Sequence, residues 1–213
     1  MAIISFWTED DKETGQTSTA IAVATQMAIQ HNKKVLLIST YENNKEIEAA
    51  YLKPQAQKTN LLSLLNLTKK SVGIESGVTG LMKIEGSNKL SPELIKDYTG
   101  IIFKDRLEVL SGYDGVETPT IDAFYVSLIK KASMVYDIVL VDLKKGINQL
   151  SQDILTVSDV IVYGMTQKRH SIEKYATSRK DGYTSKMYNI VGYIGRYLSL
   201  IHIWRCRRSH KCR

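Results

Sequence analysis

Gly15-Gln16-Thr17-Ser18 and Asp142 are the residues whose types and spacing suit phosphate and metal chemistry. A glycine lets backbone N–H groups curl around a phosphate, and a helix starting just behind it aims the positive end of its dipole at the anion. Thr17 has a hydroxyl able to ligate Mg2+, and Gln16 can give neutral hydrogen bonds to phosphate oxygens. A second reading makes Thr17 and Ser18 plain helix caps. Asp142 closes an apolar run at 138–141 and has Gly146 four residues on. An acid there can hold Mg2+ directly or through water, or it can simply cap a turn. Glu9, Asp10, Asp11 and Glu13 crowd the stretch before Gly15, with Lys12 the lone cation among them. Two like charges 4 Å apart cost roughly 4 kcal/mol at an effective dielectric near 20, so these acids are expected to weaken triphosphate binding.

The elements that must position these residues follow from apolar patterning. Ala2-Ile3-Ile4-Ser5-Phe6-Trp7 reads as a strand, and a helix follows over 16–31 through Ala20, Ile21, Val23, Ala24, Met27 and Ala28. Val35-Leu36-Leu37-Ile38 is a continuous apolar run, the mark of a parallel strand covered on both faces. Further strands are predicted at 107–110, 136–142 and 160–163, with a sixth from 189. Helices are predicted over 44–52, around Leu61–Leu67, over 74–84, from Ser91-Pro92-Glu93 to Tyr98, after Pro119, around 154–157 and over 171–180. This alternation predicts an α/β fold: a doubly wound, mostly parallel sheet with helices on both faces. Ligands of such sheets sit at the carboxyl ends of the strands, where the 8–18 loop and Asp142 would meet.

The chain has 213 residues, enough for one α/β domain. No apolar run approaches the ~20 residues of a membrane span, and a first strand at residue 2 predicts a cytoplasmic location. The net charge of +7 is concentrated at the end of the chain. Residues 198–213 hold five cations, no acid, both cysteines and two of the four histidines. Leu198-Ser-Leu-Ile-His-Ile-Trp204-Arg-Cys-Arg-Arg208 resembles a translated sequencing-library adapter. The expectation is therefore a domain at 1–197, cut short, and a non-native tail at 198–213. Without the tail's five cations, 24 Lys and Arg face 22 acids, a charge of +2. That near-neutral balance argues against nucleic acid as a partner.

Thr14-Gly15-Gln16-Thr17-Ser18, Tyr136-Asp-Ile-Val-Leu-Val-Asp142-Leu-Lys-Lys-Gly146 and Ser158-Asp159-Val160-Ile161-Val162 together resemble the MinD/ParA family of P-loop ATPases. Leu107-Glu-Val-Leu-Ser-Gly112 resembles a strand of its pilus-assembly branch, the CpaE and TadZ proteins. The resemblance spans 2–197 in order and spacing. It implies ATP and Mg2+ as ligands, with Lys12, Gly15, Gln16, Thr17 and Ser18 as nucleotide contacts and Thr17 and Asp142 as the metal pair. The family's pattern is also broken. Gln16 stands where it has the phosphate-binding lysine. Asp11 is near the place of its second lysine, with Lys12 a shifted substitute. Ser39 and Tyr41 replace two acids of the second strand.

The resemblance thus implies a degenerate member that hydrolyses ATP slowly or not at all. Such a protein would be a scaffold or regulatory subunit of a pilus or secretion assembly. It would pair with a second copy across the nucleotide face, and with protein partners or a membrane surface of that machine. The alternative is an active Mg-ATPase in which Lys12 supplies the missing charge. Lys168-Arg169-His170 is expected to be a solvated loop, and His31 to end the first helix.

Overall fold

The structure is a computed structural model that describes residues 1–10, 14–42, 46–51, 77–85, 90–115, 119–178 and 187–191. The predicted helix around 61–67, Lys12 and the 198–213 tail lie outside the described residues. The chain runs β1 (Ala2–Trp7), α1 (Gln16–Gln30), β2 (Val35–Ser39), α2 (Glu46–Tyr51) and α3 (Gly77–Glu85). A 3-10 turn (Glu93–Tyr98), β3 (Gly100–Phe103), β4 (Leu107–Leu110), α4 (Pro119–Ala132) and β5 (Ile138–Asp142) follow. The remainder is α5 (Gln149–Val157), β6 (Val160–Met165), α6 (Arg169–Ser178) and β7 (Met187–Val191).

The seven strands among the described residues form one sheet in the order β3-β4-β2-β5-β1-β6-β7. All neighbouring pairs are parallel except β3 and β4. Sequence patterning missed β3, an antiparallel edge strand of four residues. It also placed the start of β5 two residues early; Asp137 instead accepts the Lys34 amide through Oδ2 at 2.9 Å, just outside the strand.

Alternate residues of each strand feed two cores. Ile3, Trp7, Leu36, Ile38, Val139, Val141, Ile161 and Tyr163 face α3, α4 and α5. Phe6, Val35, Leu37, Leu140 and Val109 face α1. The fully buried residues of α1 in that second core are three alanines, Ala20, Ala24 and Ala28, flanked by the partly buried Ile21, Val23 and Met27. Their spacing of four puts them on one helix ridge, and the missing side-chain bulk lets α1 lie close on the sheet. The crossover from β1 to β2 runs one way across the sheet and packs α1 on one face. Those from β4 to β5 and β5 to β6 run the other way and pack α4 and α5 on the opposite face. A single crossover handedness requires this arrangement.

Candidate functional site

Strand parity decides what Asp142 faces. It shares the face of Leu140, so it points to the α1 side from the last position of β5. In register it stands between Phe6 of β1 and Ser39 of β2. The loop leaving β1 returns there, because the β1 and β5 exits are tied together. Leu143 gives its amide to the Phe6 carbonyl at 3.0 Å, and Gly146 gives its amide to the Thr8 carbonyl at 2.9 Å. Trp7 Nε1 donates to the Gly146 carbonyl at 2.9 Å. Gly15 then starts α1 in the left-handed conformation, at φ 75°, and no side chain caps that end.

The first residues of α1 close on the acid. Gln16 Nε2 donates to Asp142 Oδ1 at 2.7 Å and to the Leu143 carbonyl at 2.6 Å. Thr17 Oγ1 donates to Asp142 Oδ2 at 2.8 Å. Asp142 is fully buried and Gln16 is 5% exposed. The capping alternative for Thr17 therefore does not hold; its hydroxyl serves the carboxylate. Ser18 is exposed in the first turn and takes part in none of these bonds. The structure thus brings Gly15, Gln16, Thr17 and Asp142 together.

Two buried oxygens of this cluster, Thr14 Oγ1 and Gln16 Oε1, have no hydrogen-bond partner. An unmet buried polar atom costs about 1–3 kcal/mol, so such groups mark places where a ligand or water can be received. Beneath them lies Gly164 of β6. A Cβ there would sit 2.9 Å from Thr14 Oγ1 and 3.3 Å from Thr14 Cβ. The loop thus rests directly on backbone at this point.

Asp10 was expected to add repulsion at the cradle, and the structure gives it another role. Asp10 is 6% exposed, and its carboxylate accepts a hydrogen bond from the Ser171 hydroxyl in α6. Lys174 Nζ lies 3.8 Å from Asp10 Oδ1 and donates to the Glu9 carbonyl at 3.1 Å. The Asp10 amide donates to Thr8 Oγ1 at 3.1 Å. Tyr175 of α6 packs on the core opposite α1. Asp10 is thus fastened on one face of the sheet, and Thr14 rests on Gly164 on the other. Sequence reading missed Asp10, Thr14, Gly164, Ser171 and Lys174 as site residues. Ser171 carried one usable signal, a hydroxyl at a helix start.

At the second strand, Ser39 is fully buried and its Oγ accepts the Tyr41 amide at 3.2 Å. Lys168, Arg169 and His170 are exposed, and Arg169 pairs with Glu173 at 2.6 Å. Arg169 opens α6 and is not in a loop. Among the described residues no group of three or more His, Cys, Asp and Glu could hold a metal. A separate cleft of about 340 Å³ opens between α3 and α4, lined by Met82, Glu85, Ala123 and Phe124, and shares no residue with the Asp142 cluster.

This architecture can be compared with solved structures. A ParA family ATPase from Chlorobium tepidum TLS superposes with a TM-score of 0.65 at 14% identity, over 89% of this chain and 73% of that one. A putative plasmid partition protein from Borrelia burgdorferi B31, bound to AMPPNP, gives 0.60 at 15% identity over 100% and 81%. A chain of the MinC:MinD cell division protein complex from Aquifex aeolicus gives 0.59 at 15% over 90% and 68%. The fold is that of the ParA and MinD ATPases. At these identities the likeness is one of fold. No protein-family model matches the sequence, and no curated protein matches it. In the ParA/MinD fold seen here, the cluster at Asp142 occupies the carboxyl ends of the central strands, where open α/β sheets bind their ligands. The hydroxyl of Thr17 and the carboxylate of Asp142 meet at 2.8 Å, and both are oxygen donors of the kind that suits Mg2+.

Proposed function

We propose that this protein is a degenerate ParA/MinD-type nucleotide-binding protein that acts as a scaffold or regulatory subunit and turns over ATP slowly or not at all. The observation that carries the reading is Gln16. The residue in the phosphate-binding position is neutral, and its amide hydrogens are already given to Asp142 and Leu143. Phosphoryl transfer rests on positioning and on neutralising charge, and a neutral amide supplies no cation to the transferring group. ATP would bring the phosphoryl group and Mg2+ the charge that screens it. Thr17 and Asp142 would hold the metal, and the amides at the start of α1 would receive phosphate oxygens. Ser39 in place of an acid removes a further group that could orient water.

The setting follows from the same resemblance. The segment Leu107–Gly112 resembles the pilus-assembly branch, which supports a pilus or secretion assembly. A second copy across the nucleotide face and protein partners at a membrane surface complete that picture, in a cytoplasmic setting. One observation favours the second reading, an active Mg-ATPase: Thr17 and Asp142 do meet, as a metal pair must. Lys12 would then supply the charge.

Binding of a fluorescent ATP analogue with and without Mg2+, paired with a phosphate-release assay, separates the two. The expected result is weak, Mg2+-dependent binding without turnover above background. Steady turnover that disappears in Lys12→Ala and in Asp142→Ala would establish the ATPase instead.

A further inference from the structure

We propose that Gln16 is a specificity-determining residue that holds the Asp142 carboxylate closed against divalent cations. The inference rests on the reading of this cluster as a metal and phosphate site. The first two residues of α1 cover both carboxylate oxygens: Gln16 at Oδ1, 2.7 Å, and Thr17 at Oδ2, 2.8 Å. They differ in what they can do when a cation arrives. The Thr17 hydroxyl has lone pairs, so it can turn and become a ligand itself. The Gln16 amide nitrogen has none to offer, so it must leave.

The orientation of that amide is fixed by its neighbours. Nε2 faces two acceptors, Asp142 Oδ1 and the Leu143 carbonyl at 2.6 Å. Exchanging nitrogen and oxygen would set three acceptors against each other. The other end of the group supports the same conclusion. Gln16 Oε1 is buried without a partner. The side chain accepts that unmet oxygen in order to give both hydrogens to the β5 terminus, one of them to a carboxylate, where hydrogen bonds are strongest. An amide solvates Asp142 but brings it no charge. Gln16 therefore competes with the cation while Thr17 assists it. Removing Gln16 should strengthen metal binding, the reverse of what loss of a cationic phosphate ligand does to phosphate binding.

The test uses the full chain and Mn2+ alone, titrated by electron paramagnetic resonance. Wild type is compared with Gln16→Met, which keeps the volume without donors, and with Gln16→Ala. Both variants should bind Mn2+ about tenfold more tightly, the equivalent of one hydrogen bond to a charged group. Adding Asp142→Asn should abolish the gain. Affinity equal to wild type, or weaker, in a folded Gln16→Met overturns the proposal. A nucleotide that binds no variant would sink the proposed function and leave this result standing. Equal Mn2+ affinities with nucleotide still bound would do the opposite.

Discussion

Ser171 gives its hydroxyl hydrogen to Asp10 and accepts the Thr166 amide at 2.9 Å. One buried side chain thus satisfies a carboxylate and a backbone donor. Ser171→Ala leaves both without that partner, and unmet buried groups cost about 1–3 kcal/mol each. A loss of about 2 kcal/mol in urea unfolding is expected, with Ser171→Thr recovering part of it. Gly164→Ala tests the other fastening of the loop. Its new Cβ would meet Thr14 at 2.9 Å, so the loop must shift. A loss of about 1–3 kcal/mol and weaker nucleotide binding are expected from calorimetry of the variant. At this scale the sequence disclosed Gly15, Thr17 and Asp142, because each carries its chemistry in its type and its place on an element. It did not disclose Asp10. A charge count places four acids in one loop and cannot tell that one of them is spent on a helix 161 positions away.

Among the elements, α1 shows most directly how composition sets geometry. Ala24 is fully buried against the sheet. Ala24→Leu adds three carbons where the helix packs on the sheet, and overpacking costs typically 1–3 kcal/mol. The variant should unfold at correspondingly lower urea concentration and move the cradle at the helix start. A polar cluster gathers around Glu108 of β4. Tyr136 donates a hydrogen bond to Glu108, which also accepts from Thr99 Oγ1 at 2.7 Å. Burial first, then the Glu108 carboxylate, hold the Tyr136 phenol well above its ordinary range. The folded state therefore favours the protonated phenol. That contribution is complete below about pH 10, the unfolded phenol's value, and is lost as pH rises beyond it. Urea midpoints should fall above about pH 10, and Tyr136→Phe should flatten the fall. The helices and the buried parallel strands were legible because period 3.6 and unbroken apolar runs are strong patterns. The strand β3 was not. It is four residues long, leaves Ile101 65% exposed at the sheet edge, and turns into β4 through Asp105 at φ 60°. Nothing local in Gly100-Ile101-Ile102-Phe103 says that it runs antiparallel.

For the whole molecule, alternation of strand and helix disclosed the doubly wound class but not the strand order. That order depends on β5 inserting between β1 and β2, a pairing of segments about a hundred positions apart that no short window records. No helix among the described residues is long and apolar enough to cross a membrane. Charge is the other property of this scale. The five cations of 198–213 make most of the +7, so duplex DNA should bind the full chain more tightly than residues 1–197. Titrations at two salt concentrations check this, the shorter chain showing the smaller salt slope. The tie between Asp10 and α6 has a consequence that reaches across the sheet. Since the Thr166 amide hydrogen ends on the hydroxyl that grips Asp10, its exchange with deuterium reports on a loop it does not belong to. A ligand that displaced Asp10 would then be audible at the far end of β6, as a change in the lifetime of one proton.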